Sequence, residues 1–349
     1  MLFSMGQKPI FGLDIGSSAI KVVQLQKKGD SYVVNAFHSV PLPEDTIVDG
    51  EILNSSALSD ALKTVLKESS IKAKNVCCSL AGAFVIIKHI SIPKVDAREL
   101  EDQVFWEAEQ YIPFDMKEIS LAFEVVSEDS GGGKMDILLV AAKKDFIEKR
   151  IALLQEQGLQ TEIVDVDVLA LANVFWENYE LSEGNAAVLV DIGANLTKVN
   201  IVSKDATLFT RDIAVGGKNL TTEIQNKLGV SFDEAEVLKV DAANAEQAPA
   251  ELQPIIAAVS ENIALEIRRS LDFFTSSSTQ HTVSGIYLCG GSSKIPGLSA
   301  MLGEMLGLPI EFLNPFQRIT YKGSLGDDFM NDMAQTAVVS IGLGMRELE

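Results

Sequence analysis

Two stretches of the chain carry the same pattern of residues able to do chemistry. Phe11-Gly-Leu-Asp14-Ile-Gly16-Ser17-Ser18-Ala-Ile-Lys21-Val-Val and Val188-Leu-Val-Asp191-Ile-Gly193-Ala194-Asn195-Leu-Thr-Lys198-Val-Asn align without a gap, 177 residues apart. Each reads D-I-G-x4-K between apolar β-formers. A glycine in such a turn permits close backbone approach and unusual dihedrals, so successive N–H groups can point at one phosphate. The aspartate before it, Asp14 or Asp191, ends a strand, where a hard oxygen ligand can hold Mg²⁺ directly or through water. Ser17 and Ser18 add hydroxyl donors without bulk. A plain β-hairpin, in which Asp and Gly only shape the turn, explains one copy as well; two matched copies favour the phosphate site.

A third element follows the apolar run Gly285–Cys289. The loop Gly290-Gly291-Ser292-Ser293-Lys294-Ile295-Pro296-Gly297 opens a helix. Its glycines let a flat ring lie against backbone, and the helix start offers N–H donors. Alone, it is also what an ordinary strand-to-helix turn looks like. Other chemistries find no residues. Gly216-Gly217-Lys218 lacks the upstream glycine and the hydroxyl of a P-loop. His38, His89 and His281 are scattered without metal-ligand spacing, and no nucleophile elbow occurs.

The elements that must position these loops are legible from periodicity. In each copy a third strand-like run follows, Tyr32–Val40 and Ala206–Ile213, so the chain reads as a duplicated α/β unit, one copy per lobe. Helix Ser56–Lys67 and strand Asn75–Leu80 complete the first copy. The pattern then predicts strand Val85–Ile90, helix Ala97–Tyr111, strands Ile119–Val126 and Met135–Ala142 around a Gly131-Gly132-Gly133 loop, and helix Lys144–Glu156. The expected division is 9–82 and 158–183 for the first-lobe core, 83–157 for an inserted α+β subdomain, and 184–218 with 283–333 for the second-lobe core. A helical insertion fills 219–282, and 334–349 is a C-terminal interlobe helix, within a helix-like run Met333–Leu348.

Composition bounds the partners. The 349 residues are 47% hydrophobic and 22% charged, enough for two cores without covalent staples. Cys77, Cys78 and Cys289 are expected as reduced, buried thiols. A net charge of −20 repels nucleic acid and anionic lipid, and it repels ATP as well. A phosphate site here must therefore rely on local N–H groups, a few lysines and a bound cation. No apolar run reaches the roughly 18 residues of a spanning helix, and Met1–Ile10 has no signal-peptide pattern, which points to the cytoplasm.

Two phosphate hairpins followed by a G-G-S-x-[RK]-I-P loop resemble the actin, heat-shock chaperone and sugar-kinase superfamily. Within it the chain is similar to the FtsA-like branch, through Arg211-Asp-Ile-Ala-Val-Gly-Gly, Thr221 and Ala235-Glu-Val-Leu-Lys239. It most closely resembles the PilM family of type IV pilus assembly proteins, through Phe11–Leu25, Phe105-Trp-Glu-Ala-Glu-Gln-Tyr-Ile-Pro-Phe and Glu266-Ile-Arg-Arg-Ser-Leu-Asp-Phe-Phe. The resemblance implies an α/β, actin-like two-lobed fold of duplicated ribonuclease-H-like units, with the small α+β subdomain inserted in the first lobe. Its cofactors would be ATP or ADP with Mg²⁺. Asp14, Gly16, Ser17 and Ser18 would face the phosphates from one lobe; Asp191, Gly193, Ala194 and Asn195 would do so from the other. Gly216 and Gly217 would pass near the phosphates, Glu236 and Lys239 would reach the ribose, and Gly290, Gly291, Ser292 and Lys294 would hold the adenosine. Lys21 and Lys198 stand between phosphate contact and salt bridge, and Glu236/Lys239 is also what a solvated i,i+3 pair looks like.

The resemblance also places a water-orienting group on the helix joining the lobes. Ile163–Asn173 offers Asp165 and Asp167 as catalytic candidates but no Glu or Gln at that turn. At most a slow or partner-dependent ATPase is expected. The implied role is a scaffold in pilus biogenesis and twitching motility. It would bind the N-terminal cytoplasmic tail of a PilN-like inner-membrane protein and join other pilus components. The chain would then be peripheral at the inner membrane through that partner, without inserting itself. The subdomain's aromatic cluster Phe105, Trp106, Tyr111 and Phe114 is either core or a peptide groove, and self-association is left open. An FtsA-like divisome protein is the second expectation, weakened because the sequence ends at Arg346-Glu-Leu-Glu349 without an amphipathic tail. A small-molecule kinase is the third, lacking an evident aspartate base and sugar pocket.

Overall fold

The computed structural model describes residues 9–245, 248–278, 280–322 and 327–346. The chain opens with an antiparallel meander, β1 (Ile10–Ile15), β2 (Ala19–Lys28) and β3 (Ser31–Pro41), followed by a small hairpin, β4 (Ile47–Val48) and β5 (Glu51–Ile52). Helix α1 (Ser55–Glu68) starts where the Asn54 side chain accepts the Ala57 N–H at 3.0 Å, and buries Leu58, Ala61, Leu62 and Val65 at helical spacing. Strand β6 (Asn75–Leu80), buried throughout, pairs parallel to β1.

A smaller unit comes next: β7 (Val85–Pro93), α2 (Leu100–Ala108), β8 (Ile119–Gly131) and β9 (Lys134–Lys143). Its antiparallel sheet, ordered β7-β9-β8, has its own core, in which Val104 and Ala108 of α2 meet Ile92, Ile137 and Leu139. The His89 ring contacts the Thr207 carbonyl, bringing β7 against the second lobe.

Helix α3 (Lys144–Glu156) and strand β10 (Gln160–Val166) return the chain to the first lobe, and α4 (Asp167–Asn178) crosses to the second. Here the sequence boundary of 83–157 needs correction. Leu153 and Leu154 of α3 pack with Phe11, Leu13 and Leu58, so the helix belongs to the first-lobe core. An apolar stripe in sequence says that a helix is covered, not by which sheet.

The second lobe repeats the plan with β11 (Asn185–Ile192), β12 (Thr197–Val202) and β13 (Thr207–Ile213), then α5 (Gly217–Leu228), α6 (Phe232–Asn244) and the long α7 (Gln253–Ser277). Strand β14 (Thr282–Cys289), helix α8 (Leu298–Leu306) and strand β15 (Ile310–Phe312) complete it. The two sheets, β10-β6-β1-β2-β3 and β15-β14-β11-β12-β13, have the same order and the same mixture of pairings, as a duplication requires. The next strand, β16 (Thr320–Tyr321), pairs parallel to β3 and so lies in the first lobe, inside the 283–333 segment expected in the second. The expected C-terminal helix is two: α9 (Asp327–Thr336) and α10 (Val338–Gly344), parted at Ala337; its predicted last residues lie outside the described ones. Helices α4 and α10 share an interlobe core in which Leu171, Phe175, Val338 and Ile341 meet Leu189 and Cys289. All three cysteines are free and buried, and burial pushes the Cys78 thiol up to about 11.

Candidate functional site

The D-I-G hairpins come from equivalent places in the two sheets, so they face each other across one cleft. Each is closed by the same backbone bond, Gly16 N–H to the Ala19 carbonyl at 3.1 Å and Gly193 N–H to the Leu196 carbonyl at 2.9 Å. The cavity between them measures about 760 Å³, within the range of small-molecule clefts. Asp14, Gly16, Ser17, Ser18 and Lys21 line it from the first lobe; Asp191, Gly193, Ala194, Asn195 and Lys198 line it from the second. Glu236, Lys239, Gly290, Gly291, Ser292 and Lys294 line the same space, and Asp167 stands at its floor.

The two ambiguous lysines are salt-bridged. Lys21 Nζ lies 2.9 Å from Asp14 Oδ2; Lys198 Nζ lies 3.1 Å from Asp191 Oδ2 and 2.7 Å from Asp167 Oδ2. The register explains this, since Asp14 and Lys21 are paired across β1–β2 as Asp191 and Lys198 are across β11–β12. Burial works against the Lys198 ammonium, but the charges of Asp167 and then Asp191 hold its pKa well above the ordinary lysine value. Burial also raises the Asp14 carboxyl, against the opposing charge of Lys21.

Three predicted residues do not line the cavity. Asp165 turns away from it: its Oδ2 pairs with Arg346 Nε at 2.6 Å and its Oδ1 accepts the Val166 N–H. It fastens the end of α10 to β10, and of the two catalytic candidates only Asp167 stands at the cleft. Gly216 and Gly217 lie behind the second hairpin, where the N–H of Gly217 reaches the Gly193 carbonyl at 3.0 Å and that of Lys218 reaches the Ala194 carbonyl at 2.8 Å. A Cβ at Gly216 would fall 2.5 Å from the Ala194 oxygen, and one at Gly217 would fall 2.1 Å from Ser292 Oγ. These glycines bind the hairpin to the Gly290–Lys294 loop. Glu236 and Lys239 are no solvated pair: Lys239 Nζ sits 2.5 Å from Glu236 Oε1 and 2.9 Å from Thr221 Oγ1, tying α6 to α5 at the cleft wall.

Sequence patterns missed two features. Lys218 crosses the cleft mouth to Asp45 at 2.5 Å and Glu44 at 3.3 Å, a contact 173 positions apart that no local spacing reveals. Arg150 of α3 also lines the cleft; its one signal is a charge on the apolar stripe Phe146, Arg150, Leu153, Leu154.

The donor set suits a magnesium nucleotide with a division of labour. Among the described residues no group of three or more carboxylate, histidine or cysteine side chains is spaced to wrap a metal ion. Asp14 and Asp191 each give one oxygen to a lysine, which fits a cation that takes most of its ligands from phosphates and water.

A family model described as Type IV pilus assembly protein PilM matches residues 12–348. Among solved structures, the chain is similar to a PilM-PilN type IV pilus biogenesis complex, with TM-score 0.87 and 27% identity, covering 99% of this chain and 100% of that one. It is 25% identical over 352 residues to the cell division protein FtsA of Streptococcus pneumoniae serotype 2 (strain D39 / NCTC 7466), covering 88% of this chain and 75% of FtsA. MreB5 of Spiroplasma citri, solved bound to AMPPNP, shares the fold at TM-score 0.52 and 14% identity, covering 88% of this chain and 92% of that one. The two-lobed α/β architecture is thus the actin-like fold.

Proposed function

The chain belongs to the PilM family of type IV pilus assembly proteins, and from that premise we propose that it is an ATP-binding scaffold of the pilus inner-membrane assembly complex. The observation that carries the nucleotide assignment is the convergence of both D-I-G hairpins and the Gly290–Lys294 loop on one cleft. Ser17, Ser18, Ala194 and Asn195 would meet the phosphates, Asp14 and Asp191 would hold Mg²⁺ through water, and Glu236 with Lys239 would meet the ribose. The nucleotide supplies a ligand common to both lobes, and partners read the lobe angle it favours.

Asp167 would be the residue to orient water, a reading supported by its position on the cavity wall, and its carboxylate is already engaged by Lys198 at 2.7 Å. Hydrolysis is therefore slow or partner-dependent. Purified protein is expected to turn over ATP on the order of 10⁻³ per second; many turnovers per second without a partner would reject this.

The partner is the N-terminal cytoplasmic tail of a PilN-like membrane protein, docked on the three-stranded unit. Phe105, Tyr111 and above all Trp106, 75% exposed, are aromatic side chains outside that unit's core. No described helix is long and apolar enough to cross a membrane, so the tail would also provide attachment at the inner membrane. A titration of tail peptide against the full chain, with and without Mg-ATP, tests the proposal. Binding is expected to tighten with ATP, and Trp106→Ala to weaken it about tenfold or more. Tail binding indifferent to nucleotide would make the nucleotide structural; no binding would remove the scaffold role.

A further inference from the structure

The floor of the cleft holds a cation that the assignments above leave unused. Arg150 projects from α3 and is only 4% exposed, yet its Nε and Nη1 have no hydrogen-bond partner. It borders the same cavity as Asp14, Ser79 and Asp167, at the strand ends of the first lobe. No carboxylate among the described residues lies within ion-pair distance of it. A buried charge without a partner is strongly destabilising, and arginine is almost never found so. The cleft-floor lysines differ, since Lys21 and Lys198 already have carboxylates. Arg150 is thus the cation at this floor with donors to give, and its planar fork matches the oxygens of a phosphate.

Its position selects which phosphate. The groups assigned to adenosine and ribose, Gly290–Lys294 with Glu236 and Lys239, all belong to the second lobe. Arg150 lies in the first, on the helix α3 that packs into that lobe's core, and lines the cavity with Asp14 and Ser79. A phosphate chain running from one lobe into the other presents its far end to Arg150. We propose that Arg150 receives an oxygen of a phosphate oxyanion at the cleft floor, the terminal phosphate of a bound nucleoside triphosphate, and so makes the protein distinguish triphosphate from diphosphate. This rests on the nucleotide assignment made above. The same chemistry is offered by free inorganic phosphate beside a bound diphosphate.

The test uses the full chain with Arg150→Met and Arg150→Gln, titrated with AMPPNP, with ADP, and with ADP plus millimolar inorganic phosphate, all with Mg²⁺. Wild type is expected to prefer AMPPNP. Each variant should lose about tenfold or more of that affinity while ADP affinity stays within about threefold. Nucleotide-free Arg150→Met should melt no lower than wild type, because an unpaired buried charge has gone. A phosphate-induced gain in ADP affinity that disappears in the variants would name free phosphate as a second occupant; no gain would confine the site to the triphosphate. An unchanged AMPPNP-to-ADP ratio, or equal loss of both with a lower melting temperature, would overturn the assignment of Arg150 alone. Wild type that binds neither nucleotide would overturn the cleft's nucleotide assignment, and this proposal with it.

Discussion

Asp191→Ala is expected to abolish magnesium-dependent ATP affinity, a loss of about a hundredfold or more, while the chain stays folded. Asp191 ends β11, is 7% exposed, and shares Lys198 with Asp167. Taking it away removes one of the two carboxylates proposed to hold Mg²⁺ and releases a buried lysine from one of two partners. A hundredfold loss is about 2.7 kcal/mol of binding free energy, the scale expected when one charged partner of a desolvated contact is removed. Asp167 still holds the lysine at 2.7 Å, so the fold has a remaining counter-charge. Asp191→Asn separates charge from shape: it keeps the volume beside Gly290 but not the charge, and should bind as poorly as the alanine variant when Mg²⁺ is present. Titration of ATP with Mg²⁺ and with a chelator reads this directly. Wild type should lose affinity when the metal is chelated; the variants should be weak in both conditions. Equal affinities for wild type and Asp191→Ala with Mg²⁺ would remove that carboxylate from the site.

The sequence showed the duplicated plan because duplication leaves a local trace. Asp14 with Lys21 and Asp191 with Lys198 are seven residues apart on paired strands, so one spacing encoded both hairpin and ion pair. What stayed hidden depends on contacts distant in sequence. The assignment of α3 turns on whether Leu153 and Leu154 meet Phe11 or the three-stranded sheet, and an amphipathic stripe is the same in either case. The departure of Asp165 from the cleft follows from Arg346, at the other end of the chain. Gly216 and Gly217 were expected near the phosphates; their tight contacts with Ala194 and Ser292 come from loops distant in sequence, which no local pattern shows. The short β16 joins the first lobe through two residues on β3, too few to leave a periodic signal.

The largest stability effect is expected from Gly342→Ala, and its sign is diagnostic. In an exposed helix interior this change stabilises by about 1 kcal/mol, because alanine is the better helix former. Here a Cβ would fall 2.0 Å from the Ala170 carbonyl oxygen, 2.6 Å from its carbon and 3.0 Å from its Cα. All three are backbone atoms of α4, so no side-chain rotation relieves the overlap, and one helix must move. Helix α10 has little room to retreat. On its other contact, a Cβ at Gly12 of β1 would lie 2.2 Å from the Ser340 oxygen and 2.4 Å from the Gly344 nitrogen. Overpacking between rigid backbones costs about 3 kcal/mol or more. In a chain of 349 residues that corresponds to a melting temperature lower by about 4 °C or more. Because α4 and α10 fill the interlobe core with Leu171 and Ile341, the displacement should also spread to the lobe angle and weaken nucleotide binding. Asp191→Ala, by contrast, should affect binding much more than melting. A Gly342→Ala protein that melts at or above the wild-type temperature would mean that these two helices are not in backbone contact.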